Sequence, residues 1–205
     1  MKKLRISVIG TGHLGSIHAR LWKNQQNAEL AGIYDINPET AAKTAEENNC
    51  RQFADIDSLL KDSDAVTIAV PTSEHYPISL QCIENNVHFF IEKPITATYK
   101  EAESLIKKAK KKNLTVQVGH VERFNPALNA LKKYKLDPLF IETHRLSQFK
   151  PRATDVSVIL DLMIHDIDIM LWMVKSKIKK IDANGVAVLT DTFDIANARI
   201  TFENG

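Results

Sequence analysis

The stretch "VIGTGHLG" places Gly10, Gly12 and Gly15 between an apolar run, "LRISVIG", and a segment with helical spacing, "HLGSIHARLWKN". Glycines at this spacing, closing a strand and opening a helix, mark the first turn of a parallel α/β sheet that binds a dinucleotide. Gly10 permits the tight turn, Gly12 lets backbone amides approach a pyrophosphate, and Gly15 allows the helix to pack closely on the strand. The helix N-terminus adds positive potential for an anion. Thr11, His13 and Leu14 complete the candidate cofactor loop. The competing reading is a glycine-rich turn that holds no ligand.

Over residues 1–119 the same alternation continues. Strand-like runs "ELAGIYD", "DAVTIAV", "VHFFIE" and "LTVQVG" are separated by helical stretches "PETAAKTAEENN", "SEHYPISLQCIENN" and "TYKEAESLIKKAKKKN". Apolar runs without polar alternation suit strands covered on both faces, and right-handed crossovers then give an α/β, doubly wound parallel sheet. The pattern changes after Gly119. "VERFNPALNALKKY" reads as a helix with Pro126 near its start, "LFIETHRLSQF" as a long strand, and "KIDANGVAVLTD" and "FDIANARITFENG" as antiparallel strands. Residues 120–205 are therefore expected to form a partial α+β domain with an open, mainly antiparallel sheet. One long helix on about three strands leaves a sheet edge that another chain, or sequence beyond Gly205, is expected to cover.

Charge and cysteine usage exclude several classes. A net charge of +2 is too small to argue for nucleic acid. The one basic run, "KKAKKKN", falls at a helix end, where cations suit the macrodipole and solvent. Cys50 and Cys82 form no metal-ligand spacing, so no structural metal is expected and a reducing cytoplasm is the simplest setting. The N-terminal apolar run ends in glycines after a few residues, unlike a signal peptide.

Asp35 closes "GIYD" 20 residues after Gly15, where a carboxylate can accept both hydroxyls of an adenosine ribose and repel a 2′-phosphate. That favours NAD over NADP as the cofactor; the alternative is a turn residue ahead of Asn37-Pro38. Two further motifs, "AVPTSEH" and "IEKPIT", follow strands at their carboxyl ends, where open α/β sheets hold ligands. They add Val70, Pro71, Thr72, His75, Glu92, Lys93 and Pro94 to the candidate cofactor-binding set. Lys93 could bind ribose hydroxyls, polarise a substrate oxygen or help carry its proton; alone it would read as a surface lysine.

"DLMIHDIDIMLWMV", residues 161–174, is the most apolar segment, yet it carries Asp161, His165, Asp166 and Asp168. Such charge disfavours a membrane span. Spacing i, i+4, i+7 sets Asp161, His165 and Asp168 on one helical stripe, while Asp166 points elsewhere to cap a neighbour or meet solvent. An Asp one turn before a His can orient an imidazole base. A hydrogen-bonded core histidine is the alternative. Arg123, Arg145, Lys150 and Arg152 could hold a diphosphate, or be solvated or structural cations; Arg123 and Arg152 are the substrate-binding candidates.

Taken together, "VIGTGHLGSIHAR", "IAVPTSEH", "IEKPIT", "VGHVERFNP" and the D-x-x-x-H of "LDLMIHDIDIMLW" resemble the glucose-fructose oxidoreductase/inositol dehydrogenase/MocA family across the whole chain. The resemblance implies a Rossmann domain over 1–119 and a substrate and oligomerisation domain over 120–205, through whose sheet the chain would form a homo-oligomer. It also implies Lys93, Asp161 and His165 as the catalytic group, with His165 taking a proton from a sugar hydroxyl as hydride leaves the same carbon. "GHVERFNP" and "DVSVILDLMIHDIDI" are similar to members that oxidise nucleotide sugars such as UDP-N-acetylglucosamine at the 3-position. Family chains are longer, so part of the second sheet and of the substrate pocket is expected outside this sequence. The rival functions are a non-catalytic NAD-binding regulator or scaffold, and an enzyme that recycles tightly bound NAD, as in glycoside cleavage or epimerisation.

Overall fold

Six strands pair in parallel in the computed structural model, which describes residues 3–147 and 156–205. They are β1 (Leu4–Ile9), β2 (Ala28–Tyr34), β3 (Arg51–Gln52), β4 (Ala65–Ile68), β5 (His88–Ile91) and β6 (Val116–Val118). Helices α1 (His13–Lys23), α2 (Pro38–Asn48), α3 (Ile56–Lys61), α4 (Thr72–Glu84) and α5 (Tyr99–Lys111) connect them. The sheet order β3-β2-β1-β4-β5-β6 is that of a doubly wound sheet. The chain moves outward from β1 to β3, then returns to β4 on the other side of β1. The order therefore reverses between β1 and β4, where ligands of such sheets bind at the carboxyl ends.

Strand period two explains the two cores. Val8 and Ile9 are neighbours in β1 yet point to opposite faces. Val8 packs with Ala19 of α1, Ile33 of β2 and Ala41 and Ala45 of α2. Ile9 joins the larger cluster with Leu59, Ile68, Ile78, Cys82, Ile91 and Leu105, supplied by α3, α4, α5 and the central strands. Both cysteines are free; burial pushes the Cys82 thiol up to about 12 and leaves it unreactive. Two elements escaped the hydrophobic pattern. β3 is two exposed polar residues at the sheet edge, and α3 is a short helix begun by Asp55, whose side chain accepts from Ser58 N–H at 2.7 Å.

Side chains cap most of these helices. Asn37 accepts from Glu39 and Thr40 N–H at the start of α2, and Thr98 with Glu101 forms a reciprocal capping box on α5. The basic run is not simply solvated. Lys112 donates to the last carbonyls of α4, Ile83 O at 2.7 Å and Glu84 O at 3.1 Å.

Contacts divide the chain into Met1–Gly119 and His120–Gly205. The second unit contains a 3-10 turn, Val121–Phe124, then α6 (Pro126–Leu131), a π-helical turn Ile159–Met163 running into α7 (Ile164–Met173), and a hairpin of β7 (Ile178–Val186) with β8 (Ile195–Phe202). The helix expected over 121–134 is broken because Pro126 holds Asn125 in an extended conformation, φ −55 and ψ 130. The strand expected over 139–149 is absent from residues 139–147; residues 148 and 149 lie outside the described residues. A strand needs a partner ladder, and a cleft of about 770 Å³ separates this segment from β8. Two strands, not three, therefore form the second sheet among the described residues.

Replacing Thr98 by Ala removes half of the α5 capping box and should lower stability by about 1 kcal/mol in urea unfolding. Glu101→Gln should cost much less, since the amide oxygen still accepts from Thr98 N–H.

Candidate functional site

At the end of β1 the glycine loop is set by two close approaches. Gly10 has φ +87, and a Cβ there would sit 2.6 Å from Ala69 O. A Cβ on Gly15 would lie 1.8 Å from Gly10 O, so α1 could not leave the strand at this angle with any side chain at residue 15. Gly12 differs: a Cβ there would meet nothing within 4 Å, so the space above it is open. Gly12 is also the N-cap of α1 and gives no side-chain cap, and Pro71 gives none to α4. By contrast α2, α3 and α5 are capped by their own side chains. The first N–H groups of α1 and α4, at the carboxyl edge of the sheet, thus suit a bound anion, and the loop fits the pyrophosphate of a dinucleotide.

Asp35 is tied to that loop. Its Oδ2 accepts Thr11 N–H at 2.6 Å and Thr11 Oγ–H at 3.0 Å, while Oδ1 accepts Asn37 N–H at 2.8 Å. Thr11 is buried; His13 and Leu14 are exposed in the first turn of α1. The Thr11–Asp35 tie has no signal in the sequence, because the two residues meet only through the pairing of β1 with β2.

The other two motifs face the same sheet edge. Val70 and Pro71 follow β4, with Thr72 opening α4; Glu92, Lys93 and Pro94 follow β5, with a cis Lys93–Pro94 bond. His75 is 1% exposed, with Nδ1 2.7 Å from Pro94 O and Nε2 3.0 Å from Val70 O. Glu92 Oε1 accepts from His18 Nε2 at 2.8 Å, and its Oε2 accepts Lys93 N–H at 3.3 Å. The side chains of His75 and Glu92 are therefore turned to protein partners, and Lys93, next after Glu92, is half-buried. His18 was not among the residues the sequence put forward.

In the second unit Asp161 lies in the π-helical turn and His165 in the first turn of α7. A π turn holds more residues than an α turn, so Asp161 departs from the α-helical stripe that its spacing implied. Asp168 does not lack a partner. Arg123 Nε donates to Oδ2 at 2.7 Å and Nη2 to Oδ1 at 2.5 Å, and His120 Nδ1 lies 3.7 Å from Oδ2. Burial works to raise the Asp168 carboxyl, but the Arg123 hydrogen bonds and the charges of His120, Arg123 and His165 outweigh it and hold the group below its ordinary value. Asp166, expected to cap a neighbour or face solvent, instead accepts a fork from Arg145 at 2.8 and 2.9 Å, which raises the Arg145 guanidinium. Both arginines are thus engaged with carboxylates of α7. Lys150 and Arg152 lie outside the described residues. No group of three or more His, Cys, Asp or Glu among the described residues is placed to hold a metal ion, and none of their helices is long and apolar enough to cross a membrane.

A doubly wound sheet, a glycine corner at its switch point and uncapped helix N-termini beside it define a dinucleotide-binding α/β protein. The oxidoreductase family with an NAD-binding Rossmann fold, Gfo/Idh/MocA, matches residues 4–120, and the chain belongs to it. It is 42% identical over 206 residues to the UDP-N-acetylglucosamine 3-dehydrogenase of Acidithiobacillus ferrooxidans, covering 100% of this chain and 65% of the relative. A solved structure of that enzyme superposes with a TM-score of 0.92 at 41% identity, covering 100% of this chain and 67% of the other. The inositol 2-dehydrogenase of Rubrobacter xylanophilus is 29% identical, over 90% of this chain and 56% of its own length. The chain thus spans no more than about two thirds of these relatives.

Asp168→Asn should destabilise the chain by about 1–2 kcal/mol at pH 7, less than the roughly 3–5 of a fully buried broken pair because the Arg123 side chain is 51% exposed. A depressed carboxyl contributes stability above its unfolded value, near 3.9, and loses it as pH falls through the folded value. The gap between wild type and variant in urea unfolding should therefore persist at pH 5 and shrink below about pH 4.

Proposed function

We propose that this chain carries the NAD-binding and proton-handling residues of a dehydrogenase that oxidises a ring hydroxyl of a sugar, with a nucleotide sugar such as UDP-N-acetylglucosamine as substrate. The observation that carries this reading is the likeness to a UDP-N-acetylglucosamine 3-dehydrogenase along the whole chain. The Asp35 carboxylate, fixed by Thr11 and Asn37, supports NAD over NADP, because it would repel a 2′-phosphate.

When bound, the nicotinamide supplies the hydride acceptor. Backbone amides of the glycine loop and the N-terminus of α1 hold the pyrophosphate, and Asp35 accepts the adenosine ribose hydroxyls. His165 takes the proton of the sugar hydroxyl on an imidazole nitrogen, and Asp161 orients that imidazole or the substrate. Lys93 assists the proton transfer through its ammonium and contacts ribose hydroxyls.

A screen of UDP-sugars against free sugars and inositols, read by NADH absorbance, should show turnover favouring the UDP-sugars, on this chain or on a longer form of the protein. Equal turnover of uncharged substrates would remove the nucleotide from the reading. His165→Ala and Lys93→Ala should each reduce kcat by about 10²–10⁴ while NAD binding largely survives. Folded His165→Ala protein with near wild-type turnover would end its assignment as base. Asp35→Ser should narrow the NAD preference, seen as the ratio of kcat/KM for the two cofactors.

A further inference from the structure

Lys93 is the residue on which the carboxyl edge of the first unit converges, and its two sequence neighbours are gripped from opposite directions. Before it, the Glu92 backbone extends the sheet by donating to Ile68 O at 3.0 Å, and the Glu92 carboxylate accepts from His18 of α1 at 2.8 Å. The His18 ring also packs on Phe90 of β5, with centroids 5.1 Å apart. The other Glu92 oxygen turns back to accept the N–H of Lys93 itself. After it, Pro94 O lies 2.7 Å from Nδ1 of His75 in α4, whose Nε2 is 3.0 Å from Val70 O.

We propose that His18 and His75 are positioning residues that jointly set the pose of Lys93. The proposal rests on Lys93 acting in the reaction. A lysine has four side-chain torsions, so its ammonium can be aimed to about 0.5 Å only if the backbone beneath it does not move. Here the residue before Lys93 is held by a helix that rises from the glycine loop, and the residue after it by a helix that rises from the Val70–Thr72 loop. The three loops at the carboxyl edge are thereby linked through two imidazoles, and a shift of any one is felt at Lys93. Plain space filling does not explain the arrangement. An apolar ring would pack as well, whereas each imidazole turns ring nitrogens toward specific oxygens, and His75 lies against carbonyls of two different loops, donating to one of them in its neutral form.

The test uses the full chain, with lysine amines reductively methylated with carbon-13 and the Lys93 signal identified by its loss in Lys93→Arg. Asn and Gln are placed at 18 and at 75 in turn; a Gln amide nitrogen stands near the place of Nε2 and an Asn amide nitrogen near that of Nδ1, so Gln can keep the bond from residue 18 to Glu92 and Asn the bond from residue 75 to Pro94. In His18→Asn and His75→Gln the Lys93 signal should move toward those of exposed lysines, and in His18→Gln and His75→Asn it should stay near the wild-type position. With a turned-over sugar, His18→Asn and His75→Gln should lose about 10- to 100-fold in kcat with little change in the KM for NAD. The same substitutions should add little further loss in a Lys93→Ala background, because residues acting through one another are not additive. A Lys93 signal unmoved in both His18→Asn and His75→Gln overturns the proposal, as does a full additional loss in the Lys93→Ala background. Absence of any sugar turnover by wild type counts against the dehydrogenase reading alone, since the resonance arm then still decides the positioning.

Discussion

The 1.8 Å at which a Cβ on Gly15 would meet the Gly10 carbonyl is the constraint on which the first unit depends. It means α1 can lie close against the end of β1 only with no side chain at residue 15. Once α1 is seated there, its inward face reaches two strands beyond its own. Trp22 Nε1 donates to Thr67 Oγ of β4 at 2.9 Å, and His18, one turn earlier, donates to Glu92 just past β5. The same seating leaves Gly12 and the first amides of α1 open at the point where the strand order reverses. A packing requirement and a ligand-binding requirement are therefore met by one backbone path.

Sequence patterns reveal those parts of the chain whose physics is local. The apolar runs of β1, β2, β4, β5 and β6, the glycine spacing, and the Asn37-Pro38 and Thr98-x-x-Glu101 helix starts all lie within a few residues of what they determine. The short edge strand β3 carries no hydrophobic signal because it is exposed, and its existence depends on β2 already being in place. Residues 139–147 show the opposite failure. Their apolar start and β-branched Ile141 and Thr143 suit a strand, but a ladder is a property of two segments, and the second is not alongside. The pairs that organise the candidate site are equally non-local: Thr11 with Asp35, His18 with Glu92, and Arg123 with Asp168 are joined by topology rather than spacing.

The apolar segment with four ionisable residues illustrates how burial and charge are reconciled. Asp166 and Asp168 each receive a bidentate guanidinium, from Arg145 and Arg123, which satisfies both carboxylate oxygens and removes the penalty of an isolated buried charge. Leu162, Met163, Met170 and Val174 line the cleft beside residues 138–147, so the helix presents apolar surface between its ion pairs. An arginine closed onto a carboxylate has little net charge left for a diphosphate. Arg123 and Arg145 thus serve the second unit's own architecture before any substrate.

That engagement also bears on His165. Asp168 sits one turn beyond it on α7 and is held as a carboxylate by Arg123 from the 3-10 turn, with His120 beside it. The carboxylate near the candidate base is therefore ionised and neutralised by Arg123 as part of the fold. Asp161 lies on the other side of His165 along the chain, in the wider π turn. The helix thereby carries its aspartates in two settings: Asp168 is anchored by arginine and holds the local structure, while Asp161, for which a role beside His165 is proposed, sits in an irregular turn.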